Sequence, residues 1–269
     1  MPEKSPDPPA PMSLQRRLIA YQTTRAWDEI PHVCYAYEPD ITDFYLAFQG
    51  LQQDYRAREG RLTLNTLLLK TITEGLKAAP ALNAYCRYDQ ATRNGTIERQ
   101  AQINLSIPWL YDDHQMVPLT LFDAGSKGLH EMALAIESIE EKLRATPMQQ
   151  LLTDTALGRH ASTDSSRLSA ADLLGGTVTV SNIGSICRSS GHIALLEILP
   201  PQVFAVGIAA MQEKPGVWTG PSGQPSIGIR KVLPMCLAFD HRVLDFIELV
   251  PFLSTLDAIF ADPSILASW

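Results

Sequence analysis

An apolar run that stops abruptly at a charged cluster constrains the fold of this chain more than any other feature. Residues 232–239 read VLPMCLAF, and residues 240–245 read DHRVLD. A short apolar run of this kind predicts a strand buried on both faces. The strand would place His241 at its end, with a carboxylate on each side and Arg242 next to it. Imidazole titrates near neutral pH, so His241 is a candidate general base; the alternative is a strand-end histidine in a surface ion-pair cluster.

Strands and helices alternate along the chain, which predicts an α/β fold of two layers. Amphipathic spacing predicts helices over residues 13–27, 63–79, 129–145 and 246–260. Short apolar or alternating runs predict strands at 33–37, 103–109, 116–122, 176–182, 203–209 and 232–239. Residues 153–169 are polar without a clear period, so we expect a loop or a short irregular helix there. Pro251 is either tolerated early in the last helix or kinks it.

Composition excludes several functional classes. Of the 269 residues, 45% are hydrophobic and 19% are charged, which is typical of a soluble globular chain with one large core. The net charge of −7 argues against nucleic acid or an anionic membrane as the main partner, but it leaves room for a local basic site for a phosphorylated cofactor. No apolar run reaches membrane-spanning length, and no signal-peptide core is present at the start.

Cysteine spacing and the amino-terminal segment complete the domain prediction. The four cysteines lack the paired spacing of a zinc site or a disulfide framework, so we expect a reducing cytoplasm. Residues 1–11, MPEKSPDPPAP, hold five prolines and little that could pack. We therefore expect residues 1–11 to be a disordered tail and residues 12–269 to form one domain.

Two motifs resemble one enzyme family. DHRVLD at 240–245 resembles the DHRxxDG signature of the catalytic domain of the dihydrolipoyl acyltransferases in 2-oxo acid dehydrogenase complexes, and GGTVTVSNIGSI at 175–186 resembles that domain's GGTFTxSNxG strand. Chloramphenicol acetyltransferases share the family's fold and carry a related HHxxxDG signature. Shorter matches follow in the family's order at 16–20, 30–32, 40–42, 82–84, 116–119 and 199–203. The resemblance covers residues 12–266 and implies a chloramphenicol acetyltransferase-like two-layer sandwich of mixed sheet and helices, built as a trimer.

The resemblance implies roles for two side chains in acyl transfer. His241 would deprotonate the acceptor thiol, which is mostly protonated at neutral pH. Ser181 would donate a hydrogen bond to the tetrahedral oxyanion without being acylated. The plainer alternative for Ser181 is a strand-end serine that bonds to its own turn.

Asp245 is the third predicted site residue, but it is not expected to complete a Ser-His-Asp triad. The resemblance implies that its role is mainly structural, in an ion pair with an arginine that holds the active-site loop. The candidate arginines are Arg16, Arg17 and Arg242, and the sequence does not choose among them. Asp240 is likewise expected to be structural, and His32 is expected to pack rather than to catalyse.

The resemblance also implies the assembly and the cofactors. In a family trimer the histidine of one subunit faces the serine of its neighbour across a channel, so a monomer would be inactive. Coenzyme A, a substrate here, would reach the channel from one end and a dihydrolipoyl arm from the other. No metal is expected, because both reacting groups are side chains. Larger assemblies of trimers occur in the family.

Three departures from the family pattern qualify these expectations. Phe246 replaces the signature's glycine and brings a large ring beside the predicted base. Residues 187–192, CRSSGH, lengthen the connection after the serine strand, and His192 is either a ligand contact or a solvent-exposed loop residue. The sequence shows no lipoyl domain and no subunit-binding domain, so a lipoyl group would be supplied in trans by another protein, or the acceptor would not be lipoyl.

Three functional hypotheses follow. The first is a coenzyme A-dependent acyltransferase that moves an acyl group between coenzyme A and dihydrolipoamide, with a lipoyl-bearing protein or a 2-oxo acid dehydrogenase complex as partner. The second keeps the base and the donor but uses a small-molecule hydroxyl or amine as acceptor. The third is a catalytically silent oligomeric scaffold. His241→Ala separates them, because only the enzymes would lose turnover.

Overall fold

One six-stranded mixed sheet organises the chain. The computed structural model describes residues 11–57, 61–112, 115–159, 164–220 and 223–269. Residues 1–10, most of the predicted tail, lie outside this described part. The strands are β1 His32–Tyr37, β2 Ala84–Asp89, β3 Asn94–Arg99, β4 Leu105–Tyr111, β5 Gln115–Leu121, β6 Val178–Asn182, β7 Phe204–Ile208, β8 Gln212–Thr219, β9 Pro225–Val232 and β10 Met235–Asp240. The sheet order is β1-β10-β7-β6-β4-β5, and β2–β3 and β8–β9 are separate antiparallel hairpins.

Seven α-helices accompany the strands in the described part. They are α1 Leu14–Glu29, α2 Thr42–Ala57, α3 Leu64–Ala78, α4 Leu129–Ala145, α5 Met148–Ala156, α6 Ala170–Leu174 and α7 Phe246–Ala261. Ser13 caps α1, since its hydroxyl accepts the Arg16 N–H at 3.2 Å. Helix α7 continues through Pro251 to its end. None of these described helices is both long enough and apolar enough to span a bilayer.

The predicted strand at 232–239 is divided in two. Val232 is the last residue of β9, and β10 begins only at Met235. Pro234 lies between them, and a proline has no N–H to give to a sheet ladder. The prediction of one continuous strand is therefore wrong at its first three residues, whereas the end beside His241 is where the sequence placed it.

The two faces of the sheet carry different side chains. On one face, Val180, Val206 and Leu237 belong to the main core, under the helices. On the other face the registered partners are small, such as Ala205 and Ala238. Successive side chains along each strand point to opposite faces of the sheet. One face therefore carries a thick apolar layer, and the other, called the shallow face here, carries small side chains.

The shallow face is covered by two pieces of chain. Ile30, just after α1, packs there together with Leu196 and Ile198. At Gly207 a Cβ atom would lie 2.9 Å from Cδ1 of Ile193, so the segment around Ile193 presses directly on the strand backbone. This shallow face includes the position of Ser181, whose registered partner is Gly207.

Candidate active site

The end of β10 holds His241 by its backbone. β10 is an interior strand, paired with β1 on one side and β7 on the other. The Asp240 N–H donates to the Val203 carbonyl at 2.9 Å, and the His241 N–H donates to the Pro31 carbonyl at 3.1 Å. Because neighbours on both sides fix this turn, the imidazole starts from a well-determined position.

The His241 ring is held in the tautomer that a base needs. Nδ1 lies 3.0 Å from the Leu244 carbonyl oxygen, and a carbonyl only accepts, so Nδ1 carries the proton. In the neutral imidazole, Nε2 is then the unprotonated nitrogen. The side chain is 50% exposed, and the ring packs edge-on against Phe239 with centroids 5.9 Å apart. His241 can therefore take a proton at Nε2 without first losing one.

Asp245 contacts His241 rather than an arginine. Its Oδ1 lies 3.4 Å from His241 Nδ1, and its side chain is 77% exposed. Its backbone N–H donates to Glu248 Oε2 at 2.8 Å at the start of α7. No arginine of the described chain lies within 4.0 Å of its carboxylate, so the expected arginine pair is not present in this single chain.

The arginine beside the base pairs with the other carboxylate. Asp240 is fully buried, and Arg242 donates to it through Nη2 at 2.7 Å and through Nε at 3.0 and 3.2 Å. This hydrogen bonding raises the pKa of the Arg242 guanidinium above its ordinary value. A carboxylate with no access to water needs a counter-charge far more than an exposed one does. This difference explains why Arg242 pairs with Asp240 and not with Asp245.

The other two candidate arginines do not approach the site. Arg16 and Arg17 are exposed on the first turn of α1, and neither forms an ion pair with any residue that the structure describes. Within one chain, the loop that carries the base is therefore held by the Asp240–Arg242 pair.

Ser181 presents a free hydroxyl near the end of β6. The hydroxyl has no hydrogen-bond partner among the described residues, and it is only partly buried. The turn bond that offered the plainer explanation belongs instead to Ser185, whose hydroxyl donates to the Asn182 carbonyl at 2.7 Å. The geometry leaves Ser181 free to donate to a ligand.

His241 and Ser181 of one chain do not form one site. Ser181 is level with Gly207, and Gly207 is level with Cys236 at the start of β10. His241 lies five residues after Cys236. Because β10 runs antiparallel to β6 and β7, these five residues lead away from the carboxyl end of β6. At about 3.4 Å per residue and about 4.8 Å per strand, the two Cα atoms are roughly 19 Å apart.

The two remaining histidines of the prediction have structural contacts. His32 donates through Nδ1 to the Ile30 carbonyl at 2.8 Å and accepts the Ile198 N–H at Nε2 at 2.9 Å. His192 contacts the Glu38 carboxylate, which also accepts from Lys214 Nζ at 2.8 Å. Hydrogen bonds from Lys214 and His192 lower the pKa of Glu38 below its usual range. The lengthened loop is thus tied to the rest of the chain.

Phe246 is half-exposed beside the base. Its ring meets Tyr35 edge-on, with centroids 5.1 Å apart, and its exposed fraction is 46%. Sequence reasoning missed Pro31 and Leu244. The carbonyl of Pro31 holds the backbone of His241, and the carbonyl of Leu244 holds its ring. No sequence signal could have found them, because every residue supplies a carbonyl.

Comparison with known proteins agrees with this architecture. The family model described as 2-oxoacid dehydrogenases acyltransferase (catalytic domain) matches residues 5–153 and 156–267. The lipoamide acyltransferase component of the branched-chain alpha-keto acid dehydrogenase complex of Pseudomonas aeruginosa is 27% identical over 264 residues, which cover 98% of this chain and 54% of the relative. The dihydrolipoyllysine-residue acetyltransferase component of the pyruvate dehydrogenase complex of Haemophilus influenzae is 28% identical, over 88% of this chain and 36% of the relative. The chain spans about half or less of these relatives.

Solved structures show the same fold. A probable dihydrolipoamide acetyltransferase from Listeria monocytogenes aligns with a TM-score of 0.71 and 24% identity, over 96% of each chain. The Azotobacter vinelandii dihydrolipoamide acetyltransferase, studied for the role of a serine, a histidine and an asparagine in its catalytic mechanism, aligns with a TM-score of 0.72 and 22% identity, over 99% of this chain and 98% of that one. The cubic core of a pyruvate dehydrogenase multienzyme complex aligns with a TM-score of 0.71 and 19% identity, over 99% and 98%. The fold predicted from the sequence motifs is confirmed, and the chain belongs to the 2-oxoacid dehydrogenase acyltransferase family, of which it carries the catalytic domain.

Proposed function

We propose that this chain is a coenzyme A-dependent acyltransferase that moves an acyl group between coenzyme A and dihydrolipoamide. The observation that carries the proposal is the tautomer of His241, with Nδ1 bound to the Leu244 carbonyl and Nε2 free. Two of the relatives are a lipoamide acyltransferase and a dihydrolipoyllysine-residue acetyltransferase, which supports the same chemistry.

The mechanism follows from the two side chains. His241 Nε2 removes the proton from the acceptor thiol, and the thiolate attacks the carbonyl carbon of the acyl thioester. The Ser181 hydroxyl donates to the resulting oxyanion. Collapse of the intermediate breaks the bond between the acyl carbon and the sulfur of the donor. That sulfur leaves as a thiolate and takes the proton from His241. Base catalysis typically contributes about 10²–10⁴ in rate and a single oxyanion donor about 10²–10³. No metal is needed in this scheme.

In this mechanism the Asp245 carboxylate would stabilise the positive charge that develops on His241. Its carboxylate, 3.4 Å from Nδ1, would stabilise the imidazolium while the proton resides on Nε2. The histidine and the asparagine named for the Azotobacter enzyme are four positions apart in that chain, as His241 and Asp245 are here. This spacing supports assigning the Asp245 side chain to the site even without its arginine.

The proposed active unit is a homotrimer, alone or within a larger assembly of trimers. Because His241 and Ser181 lie at opposite ends of one sheet, a complete site needs a base from one copy and a donor from another. The hairpin of β8 and β9 adds an unpartnered apolar face, with Val217 71%, Ile227 81% and Ile229 74% exposed. Exposed apolar patches of this kind mark interaction surfaces.

The proposed partner is a lipoyl-bearing protein of a 2-oxo acid dehydrogenase complex. The half-exposed ring of Phe246 favours a second candidate, an acyltransferase to a small hydroxyl or amine, because the ring takes space that a signature glycine would leave open. Phe246→Gly separates the two: it should improve transfer to dihydrolipoamide only if the ring obstructs a lipoyl channel.

The first experiment measures acyl transfer to free dihydrolipoamide from acetyl-, propionyl- and isobutyryl-coenzyme A. His241→Ala should abolish transfer while sedimentation shows the same oligomer as the unaltered protein. His130→Ala, on α4, is the matched control and should keep full activity. A folded oligomer that transfers nothing to dihydrolipoamide would exclude the lipoyl acceptor, and the same assay with small alcohols and amines would then separate the second candidate from a scaffold.

A further inference from the structure

Two cysteines that are far apart in the sequence meet on the shallow face of the sheet. Cys34 lies on β1 and Cys236 lies on β10, and these two strands are antiparallel neighbours. Cys34 is level with Ala238, which is two residues beyond Cys236. An offset of two residues keeps both side chains on the same face of a sheet. The register therefore places the two thiols side by side, although neither strand was chosen for the pairing by any local motif.

The two thiols are in contact, and one of them can be reached from solvent. Both cysteines are unbridged, and the thiol of Cys236 donates a hydrogen bond to the sulfur of Cys34. Cys236 is buried, whereas Cys34 is only partly buried. The apolar cluster against which Cys34 packs includes Ile198 and Ala238. A small uncharged solute can therefore reach the sulfur of Cys34 first.

The pair lies under residues 193–198, called the strap here. The strap belongs to no strand or helix. The Leu196 N–H donates to the cysteine sulfurs, and the Ile198 N–H donates to Nε2 of His32 at 2.9 Å. His32 and Cys34 are both on β1. Side-chain acceptors of β1, rather than a strand ladder, therefore hold this part of the strap on the sheet.

The contacts divide the two thiols into a nucleophile and a proton donor. The hydrogen bond from Cys236 lowers the pKa of Cys34 to about 7, against the effect of burial, and the Leu196 N–H acts in the same direction as Cys236. The hydrogen bond to Cys34 and burial raise the pKa of Cys236. Because the thiolate is the reactive form of cysteine, Cys34 is the nucleophile of the pair and Cys236 keeps its proton.

We propose that Cys34 and Cys236 form a peroxide-sensitive thiol pair, in which Cys34 reacts first and Cys236 closes a disulfide. The Cys34 thiolate attacks one oxygen of hydrogen peroxide, the O–O bond breaks, hydroxide leaves, and Cys34 becomes a sulfenic acid. The Cys236 sulfur then attacks the Cys34 sulfur, and the S–O bond breaks. The departing oxygen takes the Cys236 proton and leaves as water. The two thiols lose two electrons, and these reduce one peroxide to water and hydroxide.

Oxidation of the pair changes the attachment of the strap beside Ser181. Hydrogen bonds to an ionised acceptor are stronger than those to a neutral one, so the Leu196 N–H has a weaker partner in the disulfide than in the thiolate. A Cβ at Gly207, which is level with Ser181, would lie 3.5 Å from Cδ2 of Leu196. The strap therefore loosens next to the proposed oxyanion donor when the pair is oxidised.

Peptide mass spectrometry after peroxide treatment tests the disulfide. The folded protein is treated with hydrogen peroxide, remaining thiols are alkylated under denaturing conditions, and the digest is analysed without reduction. We expect a linked peptide pair that joins Cys34 to Cys236 and that dithiothreitol separates. The exposed Cys187 provides the control: Cys187→Ser should keep the link, and Cys34→Ser should lose it. Cys34 that stays reduced, joins another cysteine or reaches sulfinic acid without the link would overturn the proposal.

Alkylation of the folded protein tests the activation of Cys34 separately. Cys86 is a matched internal control, because it is also partly buried but burial raises its pKa. At neutral pH, iodoacetamide should label Cys34 about threefold or more faster than Cys86, since its larger thiolate fraction outweighs the weaker nucleophilicity of a thiolate of lower pKa. Cys236→Ala should slow the labelling of Cys34 and leave that of Cys86 unchanged. Equal rates for both cysteines, or no slowing in Cys236→Ala, would overturn the activation.

Hydrogen exchange tests the connection between the pair and the strap. Protection of the Leu196 amide should fall when the unaltered protein is oxidised, and dithiothreitol should restore it. In Cys34→Ser, the same peroxide treatment should leave that protection unchanged. A disulfide-linked protein that keeps full protection at Leu196 would overturn the effect on the strap.

Discussion

Ser181 and His241 lie at opposite ends of the same sheet, roughly 19 Å apart by strand geometry. The separation is built into the topology, since β6 and β7 are parallel while β10 runs antiparallel to β7. A residue at the carboxyl end of β6 and one at the carboxyl end of β10 therefore never meet within one chain. Under the proposed mechanism, each chain would therefore supply the base to one site and the oxyanion donor to another.

Mixing inactive variants tests this division directly. Ser181→Ala and His241→Ala homotrimers should each be strongly impaired, with Ser181→Ala slower by about 10²–10³. When the two are unfolded and refolded together, an interface with an intact histidine and an intact serine forms by chance. In a cyclic trimer assembled at random, about one quarter of the sites should be intact. Steady-state transfer by the mixture measures this fraction.

The control for this mixture is simple blending without refolding. If chains do not exchange, blended homotrimers should show only the sum of the two residual activities. Refolded mixtures that also show only that sum would contradict a site shared between chains.

Acid should weaken the contact between Glu38 and His192, which holds the lengthened loop at residues 187–192. Hydrogen bonds from Lys214 and His192 lower the pKa of Glu38, so the ionised carboxylate is favoured in the folded chain. A group whose pKa falls on folding stabilises the fold above its unfolded pKa and loses that contribution as the pH falls through the folded value. Protection of the amides of residues 187–192, measured as their exchange rate relative to that of an unstructured peptide at the same pH, should therefore fall as acid protonates Glu38.

Glu38→Gln is the matched variant for this contact. It removes the charge but keeps the size of the side chain. Protection of the loop amides should therefore be lower than in the unaltered protein near neutral pH, equal to it in acid, and without the acid dependence. An unchanged pH profile in Glu38→Gln would mean that another group controls the loop.

Two helical glycines should respond to alanine with opposite signs. A Cβ at Gly75 would lie 2.6 Å from Cδ1 of Leu256 and 2.7 Å from Cδ2 of Phe252, whereas a Cβ at Gly50 meets nothing within 4 Å. Gly50→Ala should stabilise the protein by up to about 1 kcal/mol through helix propensity. Gly75→Ala should destabilise it, since overpacking costs about 1–3 kcal/mol and exceeds the same gain.

Urea unfolding of the two glycine variants in parallel gives both free energies. Equal shifts in both would show that α3 and α7 can separate enough to admit a methyl group, contrary to the close approach at Gly75.

Sequence reasoning located the ends of the functional strands better than the accessory elements. Its motifs placed Ser181 on a strand and His241 directly after one, as observed. These two strands could be predicted because each is a buried, apolar run that is visible in the sequence. It assigned no element to Thr42–Ala57, which is α2, and none to the two hairpins. In the hairpin of β8 and β9, one face of β8 is exposed and the other is only half-buried, and Pro215 and Gly216 interrupt the strand signal.

The choice of ion-pair partners was also beyond the sequence. Three arginines were candidates for Asp245, and the structure gives the nearest one to Asp240 instead. What decides between them is burial: Asp240 is fully buried, whereas the Asp245 side chain is 77% exposed. Burial of an individual carboxylate depends on how the whole sheet is covered, which a local pattern does not contain.

The Asp240–Arg242 pair should dominate the stability of the base-bearing turn. Asp240→Asn leaves the Arg242 guanidinium, 19% exposed, without its counter-charge, and removing one partner of a buried pair costs about 3–5 kcal/mol. Arg242→Met in the same chain removes the orphaned charge, so the double variant should recover much of the loss. A double-mutant cycle measured by urea unfolding gives the coupling energy. Because His241 follows Asp240 directly, Asp240→Asn should also lower kcat for acyl transfer, and a variant that loses stability but keeps full kcat would show that the turn positions the imidazole without this pair.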